Sequence, residues 1–212
     1  MYEFFLFDLD GTLLDTLDDL HAATNAALTA FGLPKRTKEE VRSFVGNGIR
    51  KLIERAVGKP DPRFEEILQC FKRYYGEHCE DETQPYEGVI DLLKAIKVRG
   101  GKCAVVSNKA DFAVKKLAKT YFGELVYVAI GENEEAGVKK KPAPDSVFAA
   151  MKALNADPKR TVYIGDSEVD IQTAKNAGLS CVSVTWGFKD EEFLKANGAT
   201  TIVRTPNEIL KF

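Results

Sequence analysis

From about Thr83 onward, short apolar runs alternate with amphipathic stretches, and this alternation restricts the chain to few folds. Cys103 to Val106, Leu125 to Ile130, Thr161 to Ile164 and Cys181 to Val184 are short, apolar and rich in β-branched or aromatic residues, so they read as buried strands. Between them, Val89 to Val98, Asp111 to Lys119, Pro144 to Leu154 and Ile171 to Ala177 have helical spacing. Gly100-Gly101 and Gly178 stop two of these helices, and Pro144 suits a first turn. A short helix over Phe193 to Ala196 and a last strand over Thr201 to Val203 complete the series. Upstream, Tyr2 to Leu9 reads as one more buried strand, halted at Asp10-Gly11. Strands and helices repeated in this way predict a parallel sheet covered on both faces, because parallel neighbours need a crossover connection.

One segment breaks the rhythm. Leu17, Leu20, Ala23, Ala27, Leu28 and Phe31 fall at helical spacing until Gly32 and Pro34. Thr37 with Glu40 has the form of a capping box. Phe44-Val45-Gly46-Asn47-Gly48 interrupts that helix, Ile49 to Val57 resumes it, and Phe64 to Gly76 forms another. No strand is expected in this stretch. The predicted fold is therefore α/β: a Rossmann-like parallel-sheet core over residues 1–15 and 82–212, with a helical cap domain inserted at 16–81. Thr16 and the residues near Glu82 are the expected hinges.

The length of 212 residues suits such a core with one insertion. With 30 basic against 32 acidic residues the formal charge is −2, which lacks the basic footprint of a nucleic-acid binder. The apolar start, Phe4 to Phe7, is too short for a membrane span or a signal sequence. Four cysteines without a Cys-x-x-Cys pair, and only two histidines, argue against a zinc site and suit a reducing compartment, so a cytoplasmic protein without membrane attachment is expected. A monomer or a homodimer is compatible with the sequence.

In an open parallel sheet, ligands bind beyond the carboxyl ends of the strands. Here the strand ends carry polar residues: Asp8 and Asp10 on the first, Ser107 on the second expected strand, and Asp166 after Thr161 to Ile164. Lys141 precedes a helix, and Asp170 follows Asp166 by four positions. The topology brings four carboxylates, a hydroxyl and an ammonium toward one edge. Carboxylates so close repel each other unless a cation joins them. All-oxygen ligands without imidazole or thiolate point to Mg²⁺. A metal and a lysine together could then accept a phosphate dianion, with Gly11 allowing close backbone approach.

These residues resemble the four motifs of the haloacid dehalogenase superfamily. Asp8-Leu9-Asp10-Gly11-Thr12 is similar to its first motif, Ser107 after Val105-Val106 to the second, Lys141-Pro142-Ala143-Pro144 to the third, and Gly165-Asp166-Ser167-Glu168-Val169-Asp170 to the fourth. Asp-x-Asp-Gly-Thr alone arises by chance about 10⁻³ times in a chain of this length, so four motifs in order are a specific signal. The resemblance implies that Asp8 is the nucleophile that becomes an aspartyl-phosphate, with Asp10 as general acid and then general base. It implies that Ser107 and Lys141 bind the transferring phosphoryl group, and that Asp8, the Asp10 carbonyl and Asp166 hold Mg²⁺ with Asp170 in support. It also assigns Thr12, Asn108, Gly46, Asn47, Gly48 and Arg50 to substrate binding, the last four on a cap loop similar to that of bacterial phosphoglycolate phosphatases. Asp10 argues against the dehalogenase branch, which lacks this aspartate because a leaving halide needs no proton.

The expected function is thus Mg²⁺-dependent hydrolysis of a small-molecule phosphate ester, with 2-phosphoglycolate first. A pyrophosphatase, a sugar-phosphate phosphatase, a β-phosphoglucomutase-like phosphomutase and a phosphate-binding regulatory protein are the alternatives. Trp186 and Phe188 are read as packing residues, and Asp18 and Asp19 as acids that favour a helix N-terminus.

Overall fold

The computed structural model describes residues 1–133 and 137–212; residues 134–136, within the expected core segment, lie outside the described residues. Six strands form one parallel sheet: β1 (Phe4–Phe7), β4 (Lys102–Ala110), β5 (Val128–Glu132), β6 (Thr161–Gly165), β7 (Ser180–Val184) and β8 (Ile202–Val203). Their spatial order is β5-β4-β1-β6-β7-β8, so β1 is interior and the chain leaves it in both directions. The carboxyl end of β1 therefore lies where neighbouring connections diverge, the usual place for a ligand crevice.

The alternation of side chains along β1 makes two cores. Phe5 and Phe7 face one side and Leu6 the other, all buried. Behind Phe5 and Phe7 pack α5 (Val89–Val98) and α6 (Asp111–Phe122), through residues such as Leu92, Ile96, Val114 and Leu117. Behind Leu6 pack α7 (Asp145–Leu154) and α8 (Glu168–Ala177), through Val147, Met151 and Ala174. Burial of both faces explains why these strands read as unbroken apolar runs.

Between β2 (Leu14–Asp15) and β3 (Gln84–Pro85) come four helices: α1 (Leu17–Ala30), α2 (Lys38–Phe44), α3 (Ile49–Val57) and α4 (Phe64–His78). The capping box at α2 is formed, with the Glu40 amide donating to Thr37 Oγ1 at 3.2 Å and the Thr37 amide to Glu40 Oε2 at 2.7 Å. α1 packs on α4, α2 and α3, and α3 also rests on β4. The antiparallel β2–β3 ribbon, two residues a side, is too short to carry a periodic signal and was not expected. It binds both ends of the helical segment together. Asp19 adds a second tie, accepting the Glu82 and Thr83 amides at 3.0 and 2.9 Å. Asp19 is thus a buried capping group, beyond the dipole role expected of it.

Several boundaries differ from expectation, three of them with a clear local cause. β4 runs past Ser107 to Ala110, because its pairing with β5 resumes at Ala110–Glu132 after an irregularity. β5 begins at Val128, since Gly123–Leu125 forms a turn of 3₁₀ helix. α8 starts at Glu168, three residues early, because Asp170 caps the Ser167 amide from inside the first turn.

Candidate active site

Asp8, immediately after β1, has its amide bonded to the Ile164 carbonyl of β6 at 2.9 Å, so its backbone continues the sheet. Its side chain meets Lys141, whose Nζ lies 2.9 Å from Asp8 Oδ1 and 2.7 Å from Asp170 Oδ1. The Tyr163 hydroxyl joins this group, 3.0 Å from Lys141 Nζ. Lys141 and Asp170 are fully enclosed. Asn108 holds the lysine from behind, accepting the Lys141 amide at 2.7 Å and donating to the Lys141 carbonyl at 3.0 Å. A lysine is stable in such a place only because two carboxylates oppose it: burial pulls its pKa down, but Asp170 and Asp8 more than offset this and raise it.

The carboxylates are not equivalent. Asp170 has both oxygens engaged, Oδ1 by Lys141 and Tyr163, and Oδ2 by the Ser167 amide and hydroxyl at 3.2 and 2.6 Å. Asp166 Oδ2 accepts the Phe188 amide at 2.7 Å, and Thr12 Oγ1 donates to its Oδ1 at 3.4 Å. Asp8 Oδ1 is buried against the Lys141 ammonium at 2.9 Å, and among the described residues no other donor reaches it. Oxygens of Asp8, Asp166 and Asp170 lie within 4.8 Å of one another. Burial, only partly countered by Lys141, pushes Asp8 up to about 7, with Asp170 and Asp10 adding to the rise. Burial, then Asp170 and Asp8, likewise raises Asp166 well above the carboxylate range. Gly11 is needed here: it sits at φ 82°, and a Cβ on it would collide with the Asp166 carboxylate.

Asp10 stands apart from this cluster. Lys109 Nζ donates to its Oδ1 at 2.8 Å and Thr16 Oγ1 to the same oxygen at 2.9 Å. Among the described residues, no hydrogen bond reaches Asp10 Oδ2. Lys109 is buried, 4.6 Å from the centre of the Tyr75 ring on α4. Sequence reasoning missed Lys109; its only signal was its place in Ser107-Asn108-Lys109, where the strand was expected to have ended.

Asp8, Asp10, Ser107, Asn108 and Asp166 line one cavity that opens to solvent on one side. Its opposite wall is apolar and comes from the helical segment: Leu20, Val45, Ile49 and Leu52. Gly46 and Gly48 line it too, and Asn108 Nδ2 donates to the Gly46 carbonyl at 3.2 Å. Phe188, expected only to pack, forms part of the wall, and Lys109 and Lys189 are its cations.

Several expected substrate contacts are placed elsewhere. Arg50 points to the outer face of the helical segment, where it pairs with Glu65 at 2.5 and 3.1 Å and lies over the Phe64 ring. It is one residue into α3, and the helical turn carries it away from the cavity that Ile49 lines. Asn47 is not among the cavity-lining residues, unlike the glycines on either side. Thr12 is buried beneath Asp166 rather than open to a ligand. Asn108 reaches the cavity, but its amide is spent on the backbone of Lys141 and Gly46.

A parallel sheet whose carboxyl edge carries Asp8, Asp10 and Asp166 beneath an apolar helical wall defines an α/β protein with an acidic site at the ligand edge of its sheet. The chain belongs to the haloacid dehalogenase-like hydrolases, whose sequence profile matches residues 5–184. It is a phosphoric monoester hydrolase of that family. It is similar to the N-acetylmuramic acid 6-phosphate phosphatase of Pseudomonas aeruginosa, 35% identical over 97% of this chain and 92% of that protein. It is also similar to the phosphoglycolate phosphatase of Escherichia coli, 33% identical over 96% of this chain and 89% of that protein. The crystal structure of a candidate phosphoglycolate phosphatase from Lactobacillus delbrueckii subsp. bulgaricus superposes with a TM-score of 0.92 at 35% identity, covering 98% of this chain and 96% of that one. Among the described residues no helix is long and apolar enough to cross a membrane.

Proposed function

We propose that the chain hydrolyses a small phosphate monoester through an aspartyl-phosphate on Asp8, with Mg²⁺ as cofactor, and that residues 16–81 act as its cap. The observation that carries this reading is the pairing of two differently held aspartates at the end of β1. Asp8 pairs with Lys141 through Oδ1, and Asp10 is anchored through one oxygen only.

In the first step a carboxylate oxygen of Asp8 bonds to phosphorus as the bond from phosphorus to the ester oxygen breaks. Asp10 gives its proton to the departing alkoxide, which leaves as the alcohol. In the second step water attacks the same phosphorus and gives a proton to Asp10, and the Asp8–phosphorus bond breaks to yield inorganic phosphate. Lys109 and Thr16 hold Asp10 Oδ1, so Oδ2 is the oxygen that exchanges the proton. Dividing the displacement in two lets a carboxylate do what water alone does poorly. Ser107 lines the cavity for the phosphoryl oxygens, and Lys141 supplies positive charge beside the nucleophile.

The residues fit a divalent cation. Two buried carboxylates, Asp8 and Asp166, with oxygens within 4.8 Å of one another, are the hard-oxygen set that Mg²⁺ takes. Asp8, the Asp10 carbonyl and Asp166 would hold the ion, and Asp170, both of whose oxygens are already engaged, would support Lys141. When bound, Mg²⁺ supplies charge neutralisation at the phosphoryl oxygens.

Proton linkage gives a test that needs no substrate. A carboxyl whose pKa is raised on folding keeps a proton that the unfolded chain releases, so its contribution to stability is lost as pH rises through the folded value. For Asp8 this window runs from about 4 to about 7, and Asp166 acts in the same direction. In EDTA the melting temperature is expected to fall by several degrees between pH 5 and pH 7.5. With millimolar Mg²⁺ that fall should vanish, because the ion requires deprotonated ligands. An equal fall with and without Mg²⁺ would remove the metal assignment.

For the substrate, 2-phosphoglycolate stands first, supported by the phosphatases of that name among the relatives and by Lys189 at the cavity as a cation for a carboxylate. The apolar wall favours a second reading, a larger ester such as N-acetylmuramic acid 6-phosphate. Phosphate release from these two esters, pyrophosphate, glucose 1-phosphate and nucleotides, compared by kcat/KM, decides. A preference of at least tenfold for one of the first two is the expected result. Isomerisation of glucose 1-phosphate with little free phosphate would replace the hydrolase reading with a mutase.

A further inference from the structure

The loop after β7 touches the site from a direction that the motifs do not predict. Three consecutive residues fasten it. The Trp186 indole N–H donates to the Thr12 carbonyl at 2.9 Å. Gly187 is wedged so tightly that a Cβ on it would collide with the Gly11 carbonyl and the Asp166 side chain. The Phe188 amide donates to Asp166 Oδ2 at 2.7 Å. The loop therefore sets the position of Asp166 and of the backbone turn after Asp10.

The same loop is gripped from the cap. Arg42, in the last turn of α2, donates from Nη2 to the Gly187 carbonyl at 2.8 Å and from Nε to the Phe188 carbonyl at 3.0 Å. Two donors of a planar fork on two successive carbonyls fix the orientation of the peptide between them, which a lysine could not do. That peptide carries the Phe188 N–H that Asp166 accepts.

We propose that Arg42 is a positioning residue that couples the seating of the cap to the metal ligand Asp166, through the Gly187–Phe188 peptide. The proposal rests on the reading of Asp166 as a Mg²⁺ ligand. When the cap is seated, the fork holds the Phe188 amide toward Asp166 and presets that carboxylate for the ion. By linkage, the ion must favour the seated cap to the same degree. Groups that support a metal ligand from behind typically change metal affinity about 10–100-fold. Arg42 acts one peptide further out and is expected to fall at the lower end.

The test is Mg²⁺ binding to the full chain by isothermal titration calorimetry, for wild type, Arg42→Met, Arg42→Lys and Gly187→Ala. Trp186 is the sole tryptophan, so quenching of its fluorescence by acrylamide reports on the loop in the same samples. Arg42→Met is expected to weaken Mg²⁺ about tenfold, with Arg42→Lys failing to restore it. Mg²⁺ should shield Trp186 from acrylamide in the wild type and not in Arg42→Met. Gly187→Ala should weaken Mg²⁺ further; should it not fold, the two Arg42 variants decide alone, since their side chain lies at the surface. Unchanged Mg²⁺ affinity in Arg42→Met overturns the coupling and leaves the metal reading standing. Absence of Mg²⁺ binding in the wild type overturns the metal reading, and the coupling with it.

Discussion

Asp8→Asn is expected to lower kcat by at least about 10⁴-fold on every phosphate ester while leaving the fold intact. An amide has the shape of the carboxylate but lacks the charged oxygen that bonds to phosphorus, so no phosphoenzyme can form. The substitution also takes one charge out of a cluster in which Asp8, Asp166 and Asp170 oxygens lie within 4.8 Å. Lys141 retains Asp170 at 2.7 Å, so it is not left unpaired. The melting temperature in EDTA at neutral pH should therefore hold or rise, which separates lost chemistry from lost structure. Steady-state phosphate release and a thermal scan on the same preparation check both. Turnover within tenfold of wild type would rule out Asp8 as the nucleophile.

Lys141→Met is expected to have the largest effect on stability. The lysine side chain is enclosed between Asp170 at 2.7 Å, Asp8 at 2.9 Å and the Tyr163 hydroxyl at 3.0 Å. Methionine matches its length but leaves two buried carboxylates without a cation. Breaking one side of a buried ion pair typically costs about 3–5 kcal/mol, and in a chain of this size that is roughly 6–20 °C in melting temperature. Because the damage is uncompensated negative charge, lowering the pH to 5.5 or adding Mg²⁺ should recover part of it. Unlike a cavity defect, it should respond to both. Calorimetry at pH 5.5 and 7.5, with and without Mg²⁺, makes the comparison. A loss that neither proton nor metal recovers would mean that Lys141 acts by packing alone.

The two variants also differ in what they ask of the molecule. Asp8→Asn tests a reacting atom, whereas Lys141→Met tests whether the protein can hold that atom charged inside the sheet edge. The raised pKa of Asp8 shows that burial alone disfavours the charged form, with Lys141 as the main opposing influence. Lys141, from the loop before α7, is in turn held beside Asp8 by Tyr163 of β6 and Asp170 of α8.

Much of this was legible in the chain. Strands buried on both faces appear as apolar runs, so β1, β4, β6 and β7 could be read directly, and the helix stop at Gly178 marks a real left-handed cap. A parallel sheet puts strand ends on one edge, which is why Asp8, Asp10, Ser107 and Asp166 could be grouped before any coordinates, with Lys141 and Asp170 beside them. What periodicity cannot carry is an interaction between segments that share no repeat. Lys109 looked like the residue after a strand, yet the strand continues and buries it against Asp10 and Tyr75. Arg50 sat in a motif-like loop, yet one step of helix rotation turned it to Glu65 and away from the cavity.

By itself, the sequence determined the layered α/β order and which residue types stand at the sheet edge, because burial period and strand polarity are local properties. Only the tertiary structure decided which oxygens remain open. Asp170 is saturated, Asp10 is held by one oxygen, and Asp8 pairs with Lys141 through Oδ1. The physical reason is that charge and hydrogen bonding at the site are settled by distances between residues far apart in the chain, such as Lys141 to Asp8 and Phe188 to Asp166.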